Sequence, residues 1–187
     1  MPSFDRPRQA ETDISPWLRR FAHLLKPGGE VLDLAAGFGR HSRWLAARGY
    51  RVLSADIDIS GIADLAESPA VEVLAADLET DDWPLAERRF DAVLVTNYLH
   101  RAHFPLLPGL LNEGGVLLFD TFSAGNEQLG RPRNPDFLLR PGELLDAFSG
   151  LLQVVAFEQG SEQKPRPAVR QRLCARRGEQ VVALQAG

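Results

Sequence analysis

The sequence is poor in the residues that cross-link chains or hold metals. Cys174 is its only cysteine, which excludes an internal disulfide and agrees with a reducing, cytoplasmic setting. The histidines, His23, His41, His100 and His103, are scattered and show no zinc-type ligand spacing, so no metal is expected. Lysine occurs only as Lys26 and Lys164, arginine carrying the remaining positive charge; we read that bias as genome composition rather than function. No apolar run approaches the roughly 18 residues of a membrane helix. The Met1–Arg6 stretch lacks the apolar centre of a secretory signal. A net charge of −4 gives no global attraction to nucleic acid or to anionic lipid. What is present is 187 residues, 44% hydrophobic and 25% charged, enough for one domain, 1–187, with a single substantial core.

The most informative stretch is Val31-Leu-Asp-Leu-Ala-Ala-Gly-Phe-Gly-Arg40. A short apolar run ends in two glycines, and a helical pattern begins at once with Trp44 and Leu45. That is strand, tight turn and helix start, the arrangement of a nucleotide-type cofactor site. Without side chains at Gly37 and Gly39 the backbone can turn sharply and admit a ligand to contact distance. The N–H groups that open the helix are then expected to face that ligand. A dinucleotide fingerprint would place a third glycine where Ser42 stands. Asp33, inside the strand, would repel a pyrophosphate but suits a cofactor carrying an ammonium group.

On these residues the stretch resembles motif I of class I S-adenosylmethionine (SAM)-dependent methyltransferases. Other marks of that family follow in order: Asp56 closing the second apolar run, Asp77-Leu78 after the third, the Phe90-Asp91 strand, and the Gly114-Gly115 turn. Gly-Phe-Gly-Arg-His-Ser and the Asn126–Arg140 segment are most similar to the bacterial tellurite-resistance-type small-molecule methyltransferases. The Ala35-Ala36 pair departs from the family pattern, where a bulkier or sulfur-containing residue is common. The resemblance implies SAM as cofactor. It implies that Asp33 holds the methionine ammonium through water or indirectly, that Gly37, Gly39 and Arg40 shape the methionine pocket, and that Ala35 is among the cofactor-binding residues. Asp56 and Ile57 would serve the ribose, Asp77 and Leu78 the adenine, and Asn97 would place a carbonyl near the methyl carrier. Tyr98 and His100 would face the acceptor.

The chain in order supports an α/β architecture. Residues 1–13 have no period and are expected to form a loosely ordered tail. Ser15-Pro16 caps a helix whose stripe is Trp17, Leu18, Phe21, Leu24 and Leu25, stopped by Lys26-Pro-Gly-Gly29. It either covers one side of the sheet or lids the cofactor. Strands are expected at Tyr50–Asp56, Val71–Ala76, Phe90–Thr96 and Val116–Phe119, with helices at Ser60–Glu67 and from Pro105 through Leu111. Asp56 lies about 20 residues past the glycines, the spacing at which such folds place an acid on a ribose diol. Asp58 is its rival, but Asp56 directly follows the apolar run. After the Asn126–Arg140 substrate loop, Pro141 opens a helix with Leu144, Leu145 and Phe148. Leu151–Glu158 and Ala168–Arg176 read as a hairpin, which Val181–Leu184 extends. The expected fold is a doubly wound, mostly parallel seven-stranded sheet with an antiparallel edge hairpin.

Methyl transfer is an in-line displacement in which the cofactor supplies the reactive group. The protein has to hold a nucleophile about 3–3.5 Å from the methyl carbon. His41, His100 and His103 are expected near the cofactor edge, where a histidine suits a general base. Arg131, Arg133 and Arg140 can line an anion-accepting pocket. A nucleic-acid methyltransferase would carry a proline-containing grip after the fourth strand, and Asn97-Tyr98-Leu99 has none. The alternative is a non-catalytic SAM-binding or partner-dependent protein. The expected partner is a small-molecule acceptor, with no nucleic acid and no membrane.

Overall fold

A computed structural model describes residues 14–80, 83–164 and 166–183; the tail expected at 1–13 and Leu184 lie outside them. Seven strands, β1 (Glu30–Leu34), β2 (Arg51–Asp56), β3 (Val71–Ala75), β4 (Phe90–Thr96), β5 (Leu111–Phe122), β6 (Gln153–Glu162) and β7 (Ala168–Arg176), form one sheet. Their order is β3-β2-β1-β4-β5-β7-β6. The first five run parallel, and β7 is antiparallel to both β5 and β6. The seven-stranded sheet with its antiparallel edge hairpin is as the sequence led us to expect.

Alternation along each strand sends side chains to opposite faces, and each face has its own core. Val31, Val52, Ala92 and Leu94 pack under α1 (Pro16–Phe21) and α2 (Arg40–Ala46). Leu32, Leu34, Leu53, Val93 and Val95 pack on the other face, under Leu107, Leu110 and α3 (Glu143–Phe148). Each fully buried aliphatic side chain of this kind contributes roughly 1.5–3 kcal/mol. The run Ala92–Val95 is buried throughout because β4 is central and covered on both faces.

Ser15 caps α1 as expected: its hydroxyl accepts from the Trp17 N–H at 3.1 Å, with Pro16 in the first turn. The α-helix stops at Phe21 and tightens into a 3-10 turn over Ala22–Leu24. Trp17, Leu18 and Phe21 are buried, and the Trp17 indole donates to the Leu173 carbonyl at 3.0 Å, so α1 covers the sheet. Cys174 is buried in β7, where desolvation pushes its thiol up to about 12.

Three expected elements are different in the structure. Ser60–Glu67 is not an α-helix but two 3-10 segments, Ile59–Gly61 and Ala63–Glu67. A stretch this short, broken by Gly61 and bounded by Pro69, cannot propagate an α-helix from its costly nucleus. The helix expected from Pro105 is a 3-10 turn, Leu107–Leu110. Pro108 has no N–H to donate and its ring blocks the preceding turn, so Leu111 already belongs to β5. Residues 181–183 extend no strand.

Candidate active site

In the order β3-β2-β1-β4-β5 the sheet changes winding direction between β1 and β4. Ligands of doubly wound sheets bind in the crevice beyond the strand carboxyl ends at such a switch point. The segments leaving β1, β2, β3 and β4 there are Ala35–Gly39, Asp56–Asp58, Ala76–Leu78 and Asn97–His100, which contain most of the sequence-derived site residues.

The β1 turn is held open by its neighbours. Ala35, Gly37 and Gly39 all have positive φ, at 57°, 57° and 69°. The Gly37 N–H donates to Asp56 Oδ2 at 2.7 Å, and Asp56 Oδ1 accepts from the Asp58 N–H at 3.0 Å. The two glycines have different duties. A Cβ on Gly39 would lie 2.6 Å from Ile62 Cγ2 and 2.9 Å from Leu65 Cδ1, whereas one on Gly37 would meet nothing within 4 Å among the described residues. Gly39 is thus closed by packing, and Gly37 opens onto free space. Phe38 (64% exposed) and Ile57 (69% exposed) are large apolar side chains exposed on the segments that leave β1 and β2. Asp58, the rival acid, is exposed and caps the following 3-10 segment by accepting from the Ser60 N–H at 3.0 Å.

Asp33 is turned away from the turn. It is 1% exposed, and its Oδ2 accepts from the Ser42 hydroxyl at 2.6 Å and the Ser42 N–H at 3.1 Å. Burial outweighs these bonds and pushes its carboxyl up to about 6. The N–H groups opening α2 are therefore not all free for a ligand, as the sequence suggested: one is taken by this internal carboxylate. A negative group already at the helix start also disfavours a pyrophosphate there. Arg40, the first residue of α2, is half-buried, and its charge favours ionised Asp33.

His41 is a correction. It is 3% exposed, its Nε2 accepts from the Ser15 N–H at 3.1 Å, and its Nδ1 lies 3.9 Å from Asp33 Oδ1. Desolvation, helped by the Arg40 charge, lowers its pKa to about 3. With one nitrogen occupied and the ring sealed, His41 cannot act as a solvent-facing base; it ties α2 to the α1 cap.

His100 and His103 lie together, beside Trp83 and Tyr98 of the core on the face away from α1. His103 is buried, with Nε2–H donating to the Leu78 carbonyl at 2.7 Å. Its ring packs 4.5 Å from Trp83, 4.5 Å from His100 and 5.8 Å from Tyr98. Desolvation lowers its pKa. His100 is half-buried, its Nδ1 3.9 Å from Glu79 Oε2. Tyr98 is half-buried, its hydroxyl without a hydrogen-bond partner among the described residues; desolvation and then the Glu79 charge hold its pKa above the ordinary phenol value. Asp77 is exposed and accepts from the Glu79 N–H at 2.9 Å, while Leu78 is buried in the core with its carbonyl held by His103.

Asn97 follows β4 with φ of 57°, and its Oδ1 accepts from Arg170 Nη2 at 2.7 Å. Arg170 and Arg172 both donate to Asp120 Oδ1, at 2.7 and 3.2 Å, and the Ser15 hydroxyl donates to Asp120 Oδ2 at 2.6 Å. Our sequence reading missed Asp120 and Arg170. Asp120 had a signal, since it closes an apolar strand as Asp56 does; Arg170 had none, being one of many arginines. The Asn126–Arg140 loop is anchored by Arg101. Its guanidinium donates to Glu143 Oε1 at 2.6 Å and to the Asp136 and Leu138 carbonyls, each at 2.8 Å. Arg131 and Arg133 on that loop are exposed, whereas Arg140 lies 3.6 Å from Glu143.

Residues 31–115 match the family model of the methyltransferase domain. TehB from Haemophilus influenzae has the same fold at a TM-score of 0.74 and 20% identity, over 89% of this chain and 63% of that one. The family match covers less than half of the chain, and the likeness to the solved structures is one of fold. The 1,6-didemethyltoxoflavin-N1-methyltransferase of Burkholderia thailandensis aligns at a TM-score of 0.65 and 21% identity, over 92% of this chain and 78% of that one. A TehB-like SAM-dependent methyltransferase from Corynebacterium glutamicum gives 0.60 and 20%, over 89% of each chain. No curated protein matches the sequence. The chain thus spans 63% of the Haemophilus TehB chain, and among its described residues no helix is long and apolar enough to cross a membrane.

Proposed function

We propose that the protein is a methyltransferase, which transfers the methyl group of SAM to a small molecule with a soft or anionic acceptor atom. The observation that carries the cofactor part is the open space over the Gly37 backbone. Beside it stand a carboxylate at the end of β2, which accepts from the Gly37 N–H, and the exposed apolar side chain of Ile57. Those features suit an adenosyl group: Asp56 takes the ribose hydroxyls, Ile57 lies against the purine, and Asp77 with the Leu78 backbone meets its polar edge. Gly37 leaves space for the methionine portion, while Gly39 lets the turn pack closely on Ile62 and Leu65. Asp33 acts through α2, by fixing Ser42 and with it Arg40, rather than by contact. SAM supplies an electrophilic methyl group, so the protein's own work is to hold and orient.

On the acceptor side, Tyr98 and His100 stand after β4, and Arg131 and Arg133 are exposed on the loop that Arg101 anchors to the same segment. Two guanidinium groups on that loop favour an anion through charge-assisted hydrogen bonds. The didemethyltoxoflavin and glycopeptide named for similar enzymes lend support to a non-macromolecular or modest-sized acceptor. A thiolate or an oxyanion of a heavier chalcogen is nucleophilic without a base. A hydroxyl acceptor would need His100, the half-buried histidine of the cluster. The test is methyl transfer from labelled SAM across a panel of thiolates, selenium and tellurium oxyanions, carboxylates and neutral amines. Turnover confined to the neutral amines would reject the soft or anionic acceptor.

A further inference from the structure

Asn97, directly after β4, is held by residues distant in the chain. Its φ of 57° lies in the left-handed region, which asparagine tolerates better than most residues but still enters at a cost. The Asn97 N–H donates to the Asp120 carbonyl at 2.9 Å. Arg170 then closes the arrangement from β7. Its Nη2 donates to Asn97 Oδ1 at 2.7 Å and to the Asp120 carbonyl at 3.2 Å, and its Nε donates to Asp120 Oδ1 at 2.7 Å. The guanidinium lies 4.5 Å from the centre of the Phe122 ring, which fixes its plane. Asp120 is in turn pinned by the Ser15 hydroxyl and by Arg172.

We propose that Arg170 is a positioning residue for methyl transfer: it fixes Asn97 in the left-handed conformation that turns the Asn97 peptide toward the methyl-bearing end of the cofactor. This rests on the cofactor placement proposed above. A lysine at 170 keeps a positive charge beside Asp120 but cannot bridge Asp120 and Asn97 with one planar fork. Asn97 is then free to relax to an extended backbone, and the rim of the pocket shifts with it.

The experiment is calorimetric titration with S-adenosylhomocysteine of Arg170→Lys, Asn97→Ala, Asn97→Gly and the Arg170→Lys/Asn97→Gly double variant, with thermal unfolding of each. Arg170→Lys is expected to bind about 10-fold more weakly, the loss of one charge-assisted hydrogen bond, at nearly unchanged melting temperature. Glycine enters positive φ without help, so the double variant recovers most of that loss, a rescue that a merely structural role for Arg170 would not give. Parent-like binding by Arg170→Lys, or no recovery in the double variant, overturns the assignment. Asn97→Ala separates the two readings. If it binds as the parent does, Asn97 is not at the cofactor and the placement itself falls; if it weakens while Arg170→Lys does not, only Arg170 falls. If Arg170→Lys does not fold, the comparison of Asn97→Gly with Asn97→Ala decides, glycine binding more tightly if conformation is what matters.

Discussion

The two glycines of the β1 turn separate stability from cofactor binding, and alanine at each measures the separation. Both have positive φ, so each alanine incurs backbone strain of about 1–2 kcal/mol. At Gly37 none of the described residues lies within 4 Å of the new methyl group, so the strain is the whole cost to the fold. In a domain of this size that lowers the melting temperature by about 2–8 °C. At Gly39 the methyl would sit 2.6 Å from Ile62 and 2.9 Å from Leu65. Overpacking adds about 1–3 kcal/mol, and the total of about 2–5 kcal/mol removes much of an ordinary domain's stability. For binding the order reverses. The Gly37 methyl projects into the space that the cofactor is proposed to fill, and an overlap of that size weakens S-adenosylhomocysteine by about 10- to 100-fold. Thermal unfolding and calorimetric titration of Gly37→Ala and Gly39→Ala give both quantities. The reasoning fails if Gly37→Ala binds as the parent does, or if Gly39→Ala melts no lower than Gly37→Ala.

Three further outcomes are expected. Asp56→Ala loses the ribose acceptor and two backbone hydrogen bonds at once, so binding should fall about 10- to 100-fold with a modest drop in melting temperature; Asp56→Asn, which can still accept one N–H, should lie between, and parent-like binding by Asp56→Ala would remove the ribose assignment. Two buried groups give opposite pH slopes. His41, at about 3 when folded and about 6.5 when unfolded, contributes stability above the higher value that is lost as the pH falls toward the lower. Asp33, at about 6 when folded against about 3.9 unfolded, contributes stability at low pH that is lost as the pH rises through 6. Between about pH 4 and 6 the two nearly cancel, each at about 1.4 kcal/mol per pH unit. Denaturant unfolding at pH 4, 5 and 6 should therefore show His41→Gln losing stability with rising pH and Asp33→Asn gaining it; parallel slopes would contradict the burial argument. Tyr98→Phe removes a hydroxyl that has no partner among the described residues, so stability should hold or rise; S-adenosylhomocysteine binding should stay intact while turnover on any acceptor changes, and unchanged turnover would take Tyr98 out of the acceptor site.

Much of this was legible in the sequence because local pattern and global fold agree. β4 and β7 have the boundaries that their apolar runs suggest, and the glycine turn, Asp56 and Asp77 fall at strand ends where patterning alone places them. Ser15-Pro16 reads as a cap and is one. The misreadings are as physical. Leucine spacing around Leu106–Leu111 says helix, but Pro108 outweighs spacing. His41 opens a helix, a position usually wet; only the approach of the α1 cap from the other side of the chain seals it. Arg170 and Asp120 meet because β7 returns antiparallel beside β5, a pairing that no short-range signal encodes. The contacts that hold the site together are longer in range than the motif that marks it.

The central claim is that the open space over Gly37 is a SAM site. The most direct measurement is calorimetric titration of the purified chain with S-adenosylhomocysteine, with NADH as the control. Saturable one-to-one binding of S-adenosylhomocysteine and none of NADH is the result expected. Binding of neither by a folded sample, or of NADH alone, would contradict it.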